Sequence, residues 1–274
     1  MNISGQGPET GGDQPVEIRR VNEQLSFPKA SLVEPVSSGF IYLGAEIDPI
    51  WPFGLRRASR GKREAMSRSM ALTARLEQLD SVLSAKVLVA HFIPPGQGKE
   101  LGRRKQVHQA RFDLVVLIET TDMESAADLQ QHELYRELVT LLEQRADHMH
   151  VVCAHNRRSM GAVDKGRDGI FLFNYFHADD PAKLIPVWEY TAGWFEANTG
   201  LDNSTLLEPA EGEHADYGII NHCRWDRWRD VLPHLRLRPS FRRYVLAHFY
   251  ANGIVPMPIL YRLVANAHAV EVNS

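Results

Sequence analysis

Cysteine is nearly absent: Cys153 and Cys223 are the only two in 274 residues, and they form no CxxC pair. That excludes a disulfide framework and a zinc-ribbon arrangement, and it points to a reducing, cytoplasmic setting. No run of about 18 apolar residues occurs, so no membrane-spanning helix is expected. Neither sign of charge dominates, with 31 Lys and Arg against 34 Asp and Glu and a net charge of -3, so nothing global favours nucleic acid. Basic stretches at residues 56–63 and 99–105 lack interleaved aromatics and read as solvated loops. The chain has no GxGxxG, no GxxxxGK[ST] and no GxSxG, so dinucleotide folds, phosphate loops and a serine nucleophile elbow lose their usual support.

What is present is a repeated order of elements. A short β-prone segment at residues 40–47 precedes a helical pattern from 64 to about 83, in which Met66, Met70, Leu72, Leu76 and Leu79 share one face. Strands are expected at 85–93, 112–119 and 148–154, with a helix at about 125–145 before the last. The second part repeats this β-α-β-β-α-β order. Its strands are at 169–176, 203–208, 215–225 and 254–264; its helices are at 180–198 and, broken near Pro239, at 229–250. Asp180-Pro181 opens the first of these helices as cap and first-turn residues.

The fold class that follows is α+β, with two tandem ferredoxin-like βαββαβ halves. Each half makes a four-stranded antiparallel sheet with both helices on one face. Packing the two bare faces together closes a barrel, expected here to enclose a cavity. The boundaries are a disordered tail at 1–36, a first half at 37–155, a polar linker at 156–168, a second half at 169–266 and a C-terminal tail at 267–274.

Residues 219–225 (Ile-Ile-Asn-His-Cys-Arg-Trp), Pro233-His234-Leu235 and Pro239-Ser240-Phe241 carry a family signature. It resembles the dimeric α/β-barrel superfamily, and within it the antibiotic-biosynthesis monooxygenase-like proteins. There a strand ends in Trp and a downstream helix carries a His-Leu, small residue, Phe pattern. Trp225, His234, Ser240 and Phe241 match, with about one extra residue between His234 and Phe241. The first half resembles it more faintly, through residues 115–119 and 132–135, and in topology the likeness covers about residues 38–264. The resemblance implies a cavity for an apolar or aromatic ligand. It is compatible with a cofactor-independent monooxygenase, with a heme-binding or heme-using barrel, and with a barrel that binds a small molecule without chemistry.

The second half holds four of the five tryptophans, Trp188, Trp194, Trp225 and Trp228. Strand alternation sets His222 and Arg224 on one face and Asn221, Cys223 and Trp225 on the other. Polar Asn174, His222 and Arg224 are costly to bury under helices, so all three are assigned to the barrel interior. For the monooxygenase reading, Asn174 and Arg224 would stabilise oxyanion charge and His222 would accept a proton. Trp225, Trp188, Tyr175 and His234 would bind the ligand, a small aromatic or apolar molecule. No cofactor is expected on this reading; on the heme reading, His234 or His248 supplies the ligand. His148, His150 and His155 lack an accompanying carboxylate or cysteine at ligand spacing and are not read as a metal site. The alternative to all these roles is a satisfied hydrogen-bond network in a half-buried sheet. Homo-oligomerisation is left open.

Overall fold

The computed structural model describes residues 16–50, 58–94, 98–104 and 106–264. Expectations for residues 1–15 and 265–274, and for parts of both basic loops, lie outside the described residues.

The first half comprises β1 (Gly39–Glu46), α1 (Arg60–Leu76), β2 (Val82–Phe92), the single turn α2 (Gly98–Leu101), β3 (Leu114–Thr120), α3 (Met123–Leu129), α4 (Glu133–Glu143) and β4 (His148–Gly161). The second comprises β5 (Ile170–Ala178), a 3-10 turn (Pro181–Lys183), α5 (Leu184–Thr199), β6 (Ser204–Pro209), β7 (Ile219–Trp225), α6 (Trp228–Leu237), a π-helical turn (Phe241–Leu246), α7 (Ala247–Ala251) and β8 (Ile254–Leu263). Local chemistry sets several ends. Ser59 caps α1 by accepting from the Lys62 amide at 3.0 Å, and Asp122 caps α3 through the Ser125 amide. Gly200 ends α5 with a left-handed φ of 65°.

The strands close a barrel in the order β1-β3-β2-β8-β5-β7-β6-β4, every pairing antiparallel. Each half contributes a ferredoxin-like sheet, β4-β1-β3-β2 or β8-β5-β7-β6. Two seams join them, β2 to β8 and β4 to β6. The β4–β6 seam requires length, and this corrects the expected linker: β4 continues to Gly161, so residues 156–161 are strand, and residues 162–169 make the connection. The helix expected at 125–145 is two helices, because the His132 side chain accepts from the Leu134 amide and starts α4 afresh.

Alternation divides the core. Phe40, Tyr42, Val115, Leu117, Phe171, Phe173, Tyr175, Met257 and Tyr261 point inward and fill the barrel. An eight-stranded barrel is just wide enough for side chains to do this. Hydroxyls in this interior are joined end to end: Tyr42 to Tyr175 at 2.6 Å, Tyr175 to Tyr261 at 2.9 Å, and Tyr261 donating to the Phe112 carbonyl at 2.8 Å. Outward-facing Ile41, Leu43, Val116 and Ile118 pack beneath the first-half helices, and Leu172, Phe176, Ile219 and Cys223 beneath those of the second.

The expected disordered tail is also corrected. Ile18, Leu25, Phe27 and Ala30 pack against the second-half helical layer, and Val33 forms a bridge with Ser159. Residues 16–36 thus bury enough apolar surface to be held in place.

Candidate ligand cavity

An enclosed, mostly apolar cavity lies outside the barrel, between the second sheet and its helices. Its volume is about 70 Å³. Leu172, Asn174 and Phe176 of β5, with Asn221 and Cys223 of β7, form the floor; α5, α6, the π-helical turn and α7 form the roof. Trp188 and Phe195 descend from α5, and Phe241 and Val245 from the π-helical turn. The expected cavity is therefore on the opposite face of the sheet from the one assigned by sequence.

Two amides stand on that apolar floor. Asn174 and Asn221 are cross-strand partners, and such neighbours hold their Cβ atoms about 5 Å apart. Asn221 Oδ1 accepts from Ser204 Oγ at 2.6 Å, whereas its Nδ2 has only a long 3.9 Å contact to Cys223 Sγ. Asn174 Oδ1 is buried without any hydrogen-bond partner. A stranded acceptor of this kind costs about 1–3 kcal/mol. It is the most exacting feature of the cavity, because a ligand hydroxyl would satisfy it.

The sequence-assigned site residues divide as follows. His222, Arg224 and Tyr175 lie on the barrel side, so the structure does not bring His222 and Arg224 together with Asn174. His222 is 1% exposed, stacks on Phe173 at 4.3 Å between ring centroids, and neither ring nitrogen reaches a hydrogen-bond partner. Burial, with a smaller contribution from the Lys165 charge, lowers its pKa to about 3. Arg224 clips the connecting segment: it donates to the Asp168 carbonyl at 2.5 Å and pairs with Asp226 at 2.9 Å. Trp225 faces the helices, donating from Nε1 to Thr199 Oγ1 at 3.0 Å. Of the four ligand-binding assignments, only Trp188 lines the cavity. His234 lies on α6, its Nδ1 accepting from Arg238 Nε at 2.9 Å.

Sequence reasoning weighed Asn221 as the face opposite His222 and left it unused. The signal was its cross-strand position beside Asn174, which needed the strand register to read. The π-helical turn was also missed, although Pro239 marked the break; such turns recur at functional sites. Ser240 Oγ anchors its start by accepting from Trp194 Nε1 at 3.0 Å.

The other histidine group occupies one mouth of the barrel. His148 Nε2 and His150 Nδ1 face Asp216 at 3.7 and 3.5 Å, and His148 stacks on His108, which contacts Glu46 at 2.8 Å. Fold, not sequence spacing, supplies these carboxylates. Burial lowers the pKa of His150 to about 4. Among the described residues, no three His, Cys, Asp or Glu side chains are arranged to hold a metal ion. No described helix is long and apolar enough to cross a membrane.

Comparison with solved structures agrees with this architecture. An anthrone oxidase-like protein is 10% identical, with a TM-score of 0.54 over 83% of this chain and 91% of its own. A candidate monooxygenase from Fusobacterium nucleatum is 7% identical, with a TM-score of 0.51 over 84% and 94%. The chain has the dimeric α/β-barrel fold. A mutant chlorite dismutase from Candidatus Nitrospira defluvii also aligns, at 9% identity and a TM-score of 0.46 over 85% and 93%. No protein-family model and no curated protein matches the chain. In this dimeric α/β barrel both sheets come from one chain.

A heme would need an axial donor facing the cavity, and the ionisable donors its described lining offers are the Cys223 thiol and the Tyr250 hydroxyl. No histidine is among the lining residues, and burial pushes the Cys223 thiol far from ionisation. His248 uses both ring nitrogens, Nδ1–H donating to the Tyr244 carbonyl at 2.5 Å and Nε2 accepting from the Val21 amide at 3.2 Å. Burial also holds the Tyr250 hydroxyl protonated, and about 70 Å³ is far too small for a porphyrin, so the cavity does not fit heme.

Proposed function

We propose that the cavity binds a small phenolic or enolic aromatic molecule and supports its oxygenation without a resident cofactor. The observation that carries this reading is the unpartnered Asn174 Oδ1 beside the open amide of Asn221 on an aromatic-walled floor. Asn174 Oδ1 accepts the substrate hydroxyl, while the Asn221 Nδ2 donates to the oxygen as it gains anionic character. Amide donors preplaced in a dry site favour that charge. The electron-rich ring then gives electrons to dioxygen. A C–H carbon becomes a hydroperoxide, and loss of water leaves a ketone, so that a CH2 group and O2 yield C=O and H2O. Oxygenase names among structures of the same fold agree with this choice of chemistry. His222 has no part in it, since it lies across the sheet and is held neutral.

The reading is tested by oxygen uptake with anthrone, with the product followed by absorbance. Wild type should consume one O2 per ketone formed, and Asn174→Leu should lower turnover by about 10- to 10²-fold, the scale of one lost buried hydrogen bond to the substrate. Equal turnover in the variant would refute the assignment. A second reading, binding without turnover, is favoured by the lack of a carboxylate or imidazole among the described lining residues. Anthrone binding without oxygen uptake would select it.

A further inference from the structure

We propose that residues 16–36 are a strap that gates the cavity, holding α5 against the π-helical turn and α7 so that a ligand is admitted only when the strap lifts. This rests on the cavity being the ligand site.

The strap is bonded along its length to the cavity's roof. Asn252, after α7, grips the Arg19 backbone twice, its Oδ1 accepting from the amide at 2.7 Å and its Nδ2 donating to the carbonyl at 2.9 Å. His248 of α7 accepts from the Val21 amide, and Asn22 Nδ2 donates to the Arg243 carbonyl of the π-helical turn at 2.6 Å. The ring of Phe27 lies 4.7 Å from that of Tyr244 in the same turn. On α5, Glu196 accepts from both the amide and the hydroxyl of Ser31, at 2.8 and 2.7 Å. The strap therefore ties together two roof elements that must separate if a cavity of about 70 Å³ is to take in an aromatic molecule. A dry cavity that holds benzene is nearer 150 Å³.

Gly193 shows that this crossing is built in. A glycine in mid-helix costs about 1 kcal/mol relative to alanine. Here any Cβ would overlap the Pro28 carbonyl oxygen. The residue on α5 is thus the one that lets the strap backbone lie directly on the helix.

The test uses the full chain and 1-naphthol as probe, with binding followed by stopped-flow fluorescence. Gly193→Ala should displace the strap where it crosses α5 while favouring the helix itself, and Phe27→Ala should loosen it at the π-helical turn. Both should raise the association rate by about tenfold or more, with faster amide exchange in residues 16–36 and native circular dichroism. An unchanged association rate in both variants overturns the gate. Ala192→Leu, whose added carbons about match the free volume, should abolish binding in every background. Naphthol binding that survives it refutes the cavity as the site, and so separates failure of the site from failure of the strap.

Discussion

His222 illustrates how a residue can look catalytic and serve packing. Its two ring nitrogens are buried without partners among Phe171 and Phe173. His222→Phe should therefore stabilise the protein by about 1–3 kcal/mol, the cost of unsatisfied polar atoms, while leaving oxygen uptake in place. A lower urea midpoint, or lost turnover, would contradict this. The same residue and His150 make the fold acid-sensitive. Both have folded pKa values below the ordinary 6.5, at about 3 and about 4. Each contributes stability that is present above about pH 6.5 and lost as pH falls through the window down to those values. The urea midpoint should drop between pH 7 and pH 4.5, and His222→Phe should reduce that drop. Alternation along β7 was legible in the sequence, as was the separation of His222 and Arg224 from Asn221. The face of β7 that meets the helices was placed correctly too, but that of β5 was not, because Asn174 was put in the barrel with His222 and Arg224. Polar residues were assigned to the barrel because helices usually cover apolar surface, yet here the helices roof a cavity that needs Asn174.

At the scale of elements, the succession of strands and helices along the chain was legible, because period-two alternation and cap residues are local signals. The strap was not. Ile18, Leu25 and Phe27 are too sparse and irregular to show periodicity, and their value comes from grooves made by distant helices. Removing residues 1–36 should cost roughly 2–4 kcal/mol, given that several half-buried apolar side chains are lost. At about 2–4 °C per kcal/mol for a chain of this size, the melting temperature should fall by several degrees or more. An unchanged melting curve would show that the docked residues add nothing. The long β4 escaped for a similar reason: residues 156–159 are polar, and only pairing with β6 makes them a strand.

For the whole molecule, closure depends on both seams. Residues 16–161 and 162–264, produced as separate chains, should each self-associate or aggregate, since each leaves one apolar sheet face open. Mixed together, they should form a one-to-one complex by size-exclusion chromatography with light scattering. A stable monomer of either piece would contradict mutual cover as the source of stability. Joining the two sheets in one polypeptide has a consequence for their history. In an assembly of identical subunits every substitution is made twice, once in each copy. Here each position changes alone. The four outward cross-strand pairs of the first half are Gly39–Thr120, Ile41–Ile118, Leu43–Val116 and Ala45–Leu114; those of the second are Ile170–Trp225, Leu172–Cys223, Asn174–Asn221 and Phe176–Ile219. The third pair is aliphatic in one half and a pair of amides in the other. Asymmetry lets the first half stay a tightly packed foundation while the second trades packing for a polar, roomier floor.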